Sequence, residues 1–195
     1  MRKWVCSRHS RSYENVRMNP DGSGVPLTSM DPILNHATRT LVLGSMPRDM
    51  SLRVGEYYAN PSNRFWKVMA SVLNAPNAES YAQRIATLDQ AGVGLWDVLK
   101  HCSRVGSLDS AILSDTEEPN DFAGLLERHP NVTSIVFNGQ KAAMSFDRLV
   151  FAALPQSFRD RISMAVAPST SAANARLRLS ALADAWRVAV NVTVS

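Results

Sequence analysis

The sequence predicts an α/β protein, a three-layer α/β/α domain around a central four-stranded parallel sheet. Three observations carry that expectation. Four apolar runs of strand length occur, at 40–44 (TLVLG), 92–99 (GVGLWDVL), 133–138 (TSIVFN) and 162–167 (ISMAVA). Stretches with helical spacing separate them, which is the pattern of βαβ units and a sheet covered on both faces. The 195-residue chain, with 45% hydrophobic residues, suits one globular domain with a sizeable core.

Taken in order, Ser, Arg, Asn, Pro and Gly dominate the first forty residues, which sustain no hydrophobic period, and a turn signal (DGSG, 21–24) closes about the first 25. They read as a flexible arm before a domain at 26–195. Its arginines, Arg2, Arg8, Arg11 and Arg17, suit either a solvated tail or contacts to phosphate. After the first strand, a helix over 63–73 puts Phe65, Trp66, Met69, Val72 and Leu73 on one face, and a second helix is expected over 80–89. Asn120 is a plausible N-cap for a helix that buries Phe122, Leu125 and Leu126. Another helix is expected from Gln140 to about Val150, and a long final helix from Ala175 to Val190.

Composition excludes several functions. Cys6 and Cys102 stand alone, and His9, His36, His101 and His129 are scattered, so no zinc or iron–sulfur ligand set is present and no metal or other cofactor is expected. No run approaches 18 apolar residues and the first residues carry charges where a signal peptide needs an apolar core, so a cytoplasmic protein without a membrane segment is expected. The net charge is +4, with 17 Arg against 4 Lys. Arginine suits bidentate contact with phosphate, and the basic balance is consistent with nucleic acid; GC-rich coding would give the same composition.

In an open parallel sheet, ligands bind beyond the carboxyl ends of the strands. The residues expected there are Gly44, Ser45, Met46, Pro47 and Arg48, then Asp97, then Asn138 with Gly139, and then 168–175 (PSTSAANA). The loop GSMPRDMSL has neither GxGxxG nor the GK[ST] ending of a phosphate-binding loop, which argues against nucleotide hydrolysis. Close to this rim falls YYANPSNRFW, 57–66, where aromatics, asparagines and an arginine suit a flat polar ligand as well as they suit a turn and a helix start.

The segments GSMP, YYANPSNRFW, GVGLWDVLKHCSRVGSLDSAI, NDF, IVFNG and PSTSAANA, in that order from about residue 40 to residue 190, closely resemble the hypoxanthine-DNA (deoxyinosine) glycosylase branch of the uracil-DNA glycosylase superfamily. The resemblance implies a uracil-DNA glycosylase-like fold and a monofunctional enzyme of base-excision repair. In that superfamily a polar residue of the first motif aligns the attacking water. Met46 stands in its place, and a thioether neither orients nor deprotonates water. In the resembling branch an Asn of the NRFW segment supplies the function, which points to Asn63 as catalytic. The same resemblance makes Tyr58 the residue that stacks on a flipped-out base and Asp97 a reader of the base edge, able to accept from N1–H of hypoxanthine or N3–H of uracil. Gly44, Ser45, Met46 and Asn138 would line the base slot; Asn138 equally suits a helix-start turn. Pro168, Ser169, Thr170, Ser171 and Asn174, with Arg48, would hold the DNA backbone. Asn60 stands where relatives often have His. Lys67 and Lys100 lie in no recognisable lyase motif.

The expectation is therefore a monomeric, cytoplasmic and nucleoid-associated enzyme. It would act without cofactors on double- or single-stranded DNA containing deaminated bases, hypoxanthine first. Two rivals stay open: a broad uracil-DNA glycosylase, and a DNA-binding member without catalysis. An enzyme needs a polar group to replace Met46, whereas a binder does not.

Overall fold

The computed structural model describes residues 24–76, 78–106, 108–174 and 176–192, with side chains to 190. The arm expected over 1–25 lies outside the described residues except for its last two positions. Of these, Val25 already pairs with Arg104.

The expected parallel sheet is present, formed by β2 (Thr40–Gly44), β3 (Val93–Asp97), β6 (Ser134–Asn138) and β7 (Ser163–Ala167) in the order β3-β2-β6-β7. Every residue of β2 and β3 is buried, which explains why both read as unbroken apolar runs. The edge strand β7 is largely open to solvent. Side chains of β2 alternate between two cores. Leu41 and Leu43 face α4 (Phe122–Arg128) and α5 (Gln140–Leu149), where Phe122 and Phe146 meet at 5.0 Å. Val42 faces the opposite core, built by α2 (Phe65–Val72), α3 (Tyr81–Gln90) and α7 (Leu179–Val192), in which Phe65 packs edge-on against fully buried Trp186. These are the three expected layers.

Local chemistry sets the helix starts. Ser80 and Gln83 form a reciprocal capping box on α3. The cap of α4 is Asp121, whose carboxylate accepts from Gly124 N, and not the expected Asn120. The Asn120 amide instead donates to the carbonyls of Asp97 and Leu99. There the chain leaves the parallel sheet at Val98 and begins β4 (Leu99–Arg104), so the expected single strand over 92–99 is two strands in two sheets. β4 pairs antiparallel with β1 (Val25–Thr28) and β5 (Glu118–Pro119). A short α1 (Asp49–Val54) follows the first rim loop, and α6 (Gln156–Arg161) precedes β7. The final helix begins at Leu179; residues 172–174 form a separate 3₁₀ turn. Among the described residues, no helix is long and apolar enough to cross a membrane.

Candidate active site

Strand register builds the site. Gly44 pairs with Asp97, Leu43 with Phe137, and Asn138 with Ala167, so the carboxyl ends of all four parallel strands lie level along one rim. A cleft opens there, lined by Gly44, Ser45, Met46, Arg48, Tyr58, Asn63, Asp97, Asn138, Ser169 and Ser171. Ten of the thirteen residues singled out from the sequence thus converge on one cleft. Pro168, Thr170 and Asn174 do not line it.

At its floor Asp97 is 3% exposed. A Cβ on Gly44 would collide with the Asp97 carboxylate, so glycine at 44 is what lets the carboxylate lean over β2. Ser29 Oγ donates to Asp97 Oδ2 at 3.1 Å. Burial lifts the carboxyl to about 7; the Ser29 hydrogen bond opposes the rise, Asp109 adds to it, and Tyr57 and Arg104 oppose it. The group is thereby poised to change charge near neutral pH.

One wall is the turn before α2. Asn60 Oδ1 accepts from Ser62 N and Ser62 Oγ, and Asn63 N donates to Asn60 O, which closes the NPSN turn. Asn63 Oδ1 accepts from Phe65 N at 2.9 Å, an Asx turn that leads into α2, whose N-cap is Arg64. Its amide nitrogen has no hydrogen-bond partner among the described residues, and the residue lines the cleft. Tyr58 has a left-handed backbone, φ 55°. Its ring stacks on Phe65 with centroids 3.8 Å apart and meets Trp66 edge-on. Phe65 therefore fixes one face of the Tyr58 ring, and burial pushes the Tyr58 phenol well above its usual range. Tyr57 is buried, and its hydroxyl lies within hydrogen-bond distance of the carbonyls of Met30 and Asp31.

The opposite wall is the loop after β7. Both ends of the Asn138 amide bind Thr170: Nδ2 donates to Oγ1, and Oδ1 accepts from Thr170 N, each at 2.9 Å. Asn138 is thus a strut between β6 and the loop as well as a lining residue. Thr170 is fully buried, Trp186 Nε1 donates to Pro168 O, and Asn174 Nδ2 donates to Ser169 O. Free backbone N–H groups before a helix would suit phosphate. Those of Thr170, Ser171, Ala173 and Asn174 are instead engaged, by Asn138 Oδ1, Ser169 Oγ, Ser171 Oγ and Ser171 O respectively. The hydroxyl residues Ser169 and Ser171 line the cleft. Arg64 ties the loop to α2 by donating to the carbonyls of Asn174 and Leu177.

Two side chains escaped the sequence reading. Asp109, in the connection after β4, lines the cleft and adds a second carboxylate. Arg104 is 1% exposed and donates to Pro47 O, Asp49 Oδ1 and Gly106 O, which pins the loop holding Met46. Arg48 reaches across the cleft to donate to Ser171 Oγ at 2.8 Å. Among the described residues, no three His, Cys, Asp or Glu side chains converge as metal donors.

Known proteins share this fold. Residues 32–190 match the uracil DNA glycosylase superfamily. Hypoxanthine DNA glycosylases from Methanosarcina acetivorans and Methanosarcina barkeri are similar, 43% identical over 56% of this chain and 69% of that protein, and 37% identical over 57% and 70% respectively. A solution NMR structure of a candidate uracil DNA glycosylase from Methanosarcina acetivorans superposes with a TM-score of 0.71 at 33% identity, over 88% of this chain and 100% of that one. With a family match over most of its length and a structural counterpart, the chain belongs to the uracil DNA glycosylase superfamily.

Proposed function

We propose that this protein is a monofunctional DNA glycosylase of base-excision repair that removes hypoxanthine from deoxyinosine, with uracil and xanthine as secondary bases. The observation that carries the reading is the cleft itself, which pairs a stacking ring (Tyr58), a buried edge-reading carboxylate (Asp97) and an amide with an unpaired N–H (Asn63) around a first-motif position occupied by Met46. Its relatives named hypoxanthine DNA glycosylase support the choice of base.

In the proposed reaction the damaged nucleotide leaves the stack and its base slides against the free face of Tyr58. Ionised Asp97 accepts from N1–H of hypoxanthine; adenine presents a bare N1 acceptor there and is repelled. The C1′–N9 bond then breaks with its electron pair leaving on the base, which is taken up by protonation. Positive charge develops on the sugar and is offset by nearby DNA phosphates. Water, held by Asn63, adds to C1′ and releases a proton to solvent. An amide suffices because a dissociative step needs a placed water rather than a strong base. Arg48 and the Ser169 and Ser171 hydroxyls hold the backbone. The enzyme works as a monomer on chromosomal DNA in the cytoplasm.

Incubating the protein with oligonucleotides containing deoxyinosine, deoxyuridine or deoxyxanthosine, followed by alkaline cleavage at abasic sites, tests the assignment. Deoxyinosine is expected to be cut fastest; cleavage of deoxyuridine alone would favour the uracil rival. Tyr58→Leu keeps an apolar group against Phe65 but removes the flat face. It should lower excision about tenfold, within the stacking contribution of about 1 to 3 kcal/mol, with little change in melting temperature. A collapse in thermal stability at unchanged excision would make Tyr58 a packing residue only. Arg53, Arg176 and Arg178 are exposed beside the two rim loops. DNA affinity should therefore fall steeply between about 50 and 200 mM salt; a flat response would contradict phosphate contact by these arginines.

A further inference from the structure

Behind the Tyr58–Asn63 wall lies a second and larger cavity of about 520 Å³, between α2, α3 and the NPSN turn. Its size is that of a small-molecule site, not of a packing defect. Tyr58, Asn60 and Asn63 line both this cavity and the base cleft, so the two are neighbours across a single turn. The inner end is apolar, made by Met69, Leu73 and Leu88. The charged side chains lining it are Lys67 and Arg84, with no carboxylate. Arg84 sits with its guanidinium 5.8 Å from the Trp66 ring centroid and is anchored through Nε to Ala78 O. Neither its terminal nitrogens nor Lys67 Nζ has a hydrogen-bond partner among the described residues. An apolar slot with an aromatic edge and two unpaired cations matches a heterocycle that carries a phosphate.

We propose that this cavity is a second nucleotide subsite, which takes the unstacked base next to the lesion on the same strand and holds its phosphate between Lys67 and Arg84. The inference rests on the glycosylase reading above and deepens it. A neighbour can unstack into the cavity only where the strand is single or locally unpaired, so the favoured substrate class is deoxyinosine in unpaired DNA.

The test uses single-stranded oligonucleotides in which deoxyinosine is flanked, on its 5′ or its 3′ side, by either a normal nucleotide or a tetrahydrofuran spacer that lacks the base. Loss of the base on one side is expected to raise KM about tenfold, in line with the loss of one stacked base, with kcat retained. Two variants should each shrink that difference towards unity: Ala70→Phe, which fills the cavity from α2, and Lys67→Glu, which reverses an exposed charge without touching the core. Equal KM for spacer and nucleotide on both sides, or a tenfold difference that persists in both variants, would overturn the proposal. Competitive inhibition by free dAMP without any spacer effect would also overturn it, since the cavity would then take free nucleotides instead of the strand. If no deoxyinosine oligonucleotide is cut at all, it is the glycosylase reading that has failed. If all are cut equally, only the subsite has.

Discussion

Asn63→Ala is expected to lower excision of hypoxanthine by about 100-fold or more, the scale on which the loss of one positioned polar group is felt in an active site, while DNA binding is largely kept. Met46 occupies the first-motif position with a thioether and is itself buried, so the cleft has no polar side chain there to hold water. Asn63 lines the same cleft with an amide donor that, like that of Asn60, has no partner among the described residues. The residue also has a structural task, because its Oδ1 accepts from Phe65 N at the start of α2. Losing such a hydrogen bond costs about 1 kcal/mol of stability, which a melting curve reads separately from single-turnover excision. Asn63→Asp keeps the acceptor and loses the amide donor. It should melt like the wild type and excise poorly. Near-wild-type excision by Asn63→Ala would remove the catalytic assignment and leave Asn63 as a turn residue.

Asp97→Leu should lower excision about 10- to 100-fold, because the N1–H of hypoxanthine would be buried against an apolar group, and an unsatisfied donor costs about 1 to 3 kcal/mol. The pH profile separates reading from mere space-filling. Burial raises the Asp97 carboxyl from 3.8 to about 7, and only the ionised form accepts from N1–H at both oxygens. kcat/KM should therefore rise with pH and level off above about 7. Asp97→Asn offers an acceptor that does not titrate, so that limb should disappear. The effect on stability has the opposite sense. Because the folded-state pKa is raised, the protonated group's contribution is complete below about pH 4 and is lost as pH rises through about 7. The melting temperature of Asp97→Asn relative to the wild type should therefore increase between pH 5 and pH 8. A wild-type rate that is flat across this window would exclude Asp97 as the ionised reader.

The parallel sheet and its rim were legible because the fully buried strands β2 and β3 must be written as apolar runs, and the residue that ends such a run lies at the ligand-binding edge. Gly44, Asp97 and Asn138 could be placed in that way. Tyr58 and Asn63 needed the ordered motifs, since a stacking ring and a core ring look alike in sequence. What escaped notice depends on long-range partners. Arg104 lies in LKHCSR, a strand of mixed burial, and reads as a surface arginine until the carbonyl of Pro47 and the carboxylate of Asp49 are seen around it. The small antiparallel sheet was hidden because β1 and β5 are short and β4 runs on from β3 after one residue. Asn120 and Asp121 are both capable caps; the choice fell to Asp121 because Asn120 is held by the backbone of the strand switch. The final helix was placed four residues early, since nothing local reveals that Arg64 grips the carbonyls of Asn174 and Leu177 and keeps that stretch out of helical geometry.

Whether this cleft breaks a base–sugar bond is read from free base, measured by chromatography after a single turnover with enzyme in excess over a deoxyinosine oligonucleotide at pH 8. One hypoxanthine should be released per strand, with an equal yield of abasic sites and no strand break before alkali. Tight binding of the oligonucleotide with hypoxanthine still attached would contradict it, and would make the chain a DNA-binding member of its superfamily instead of an enzyme.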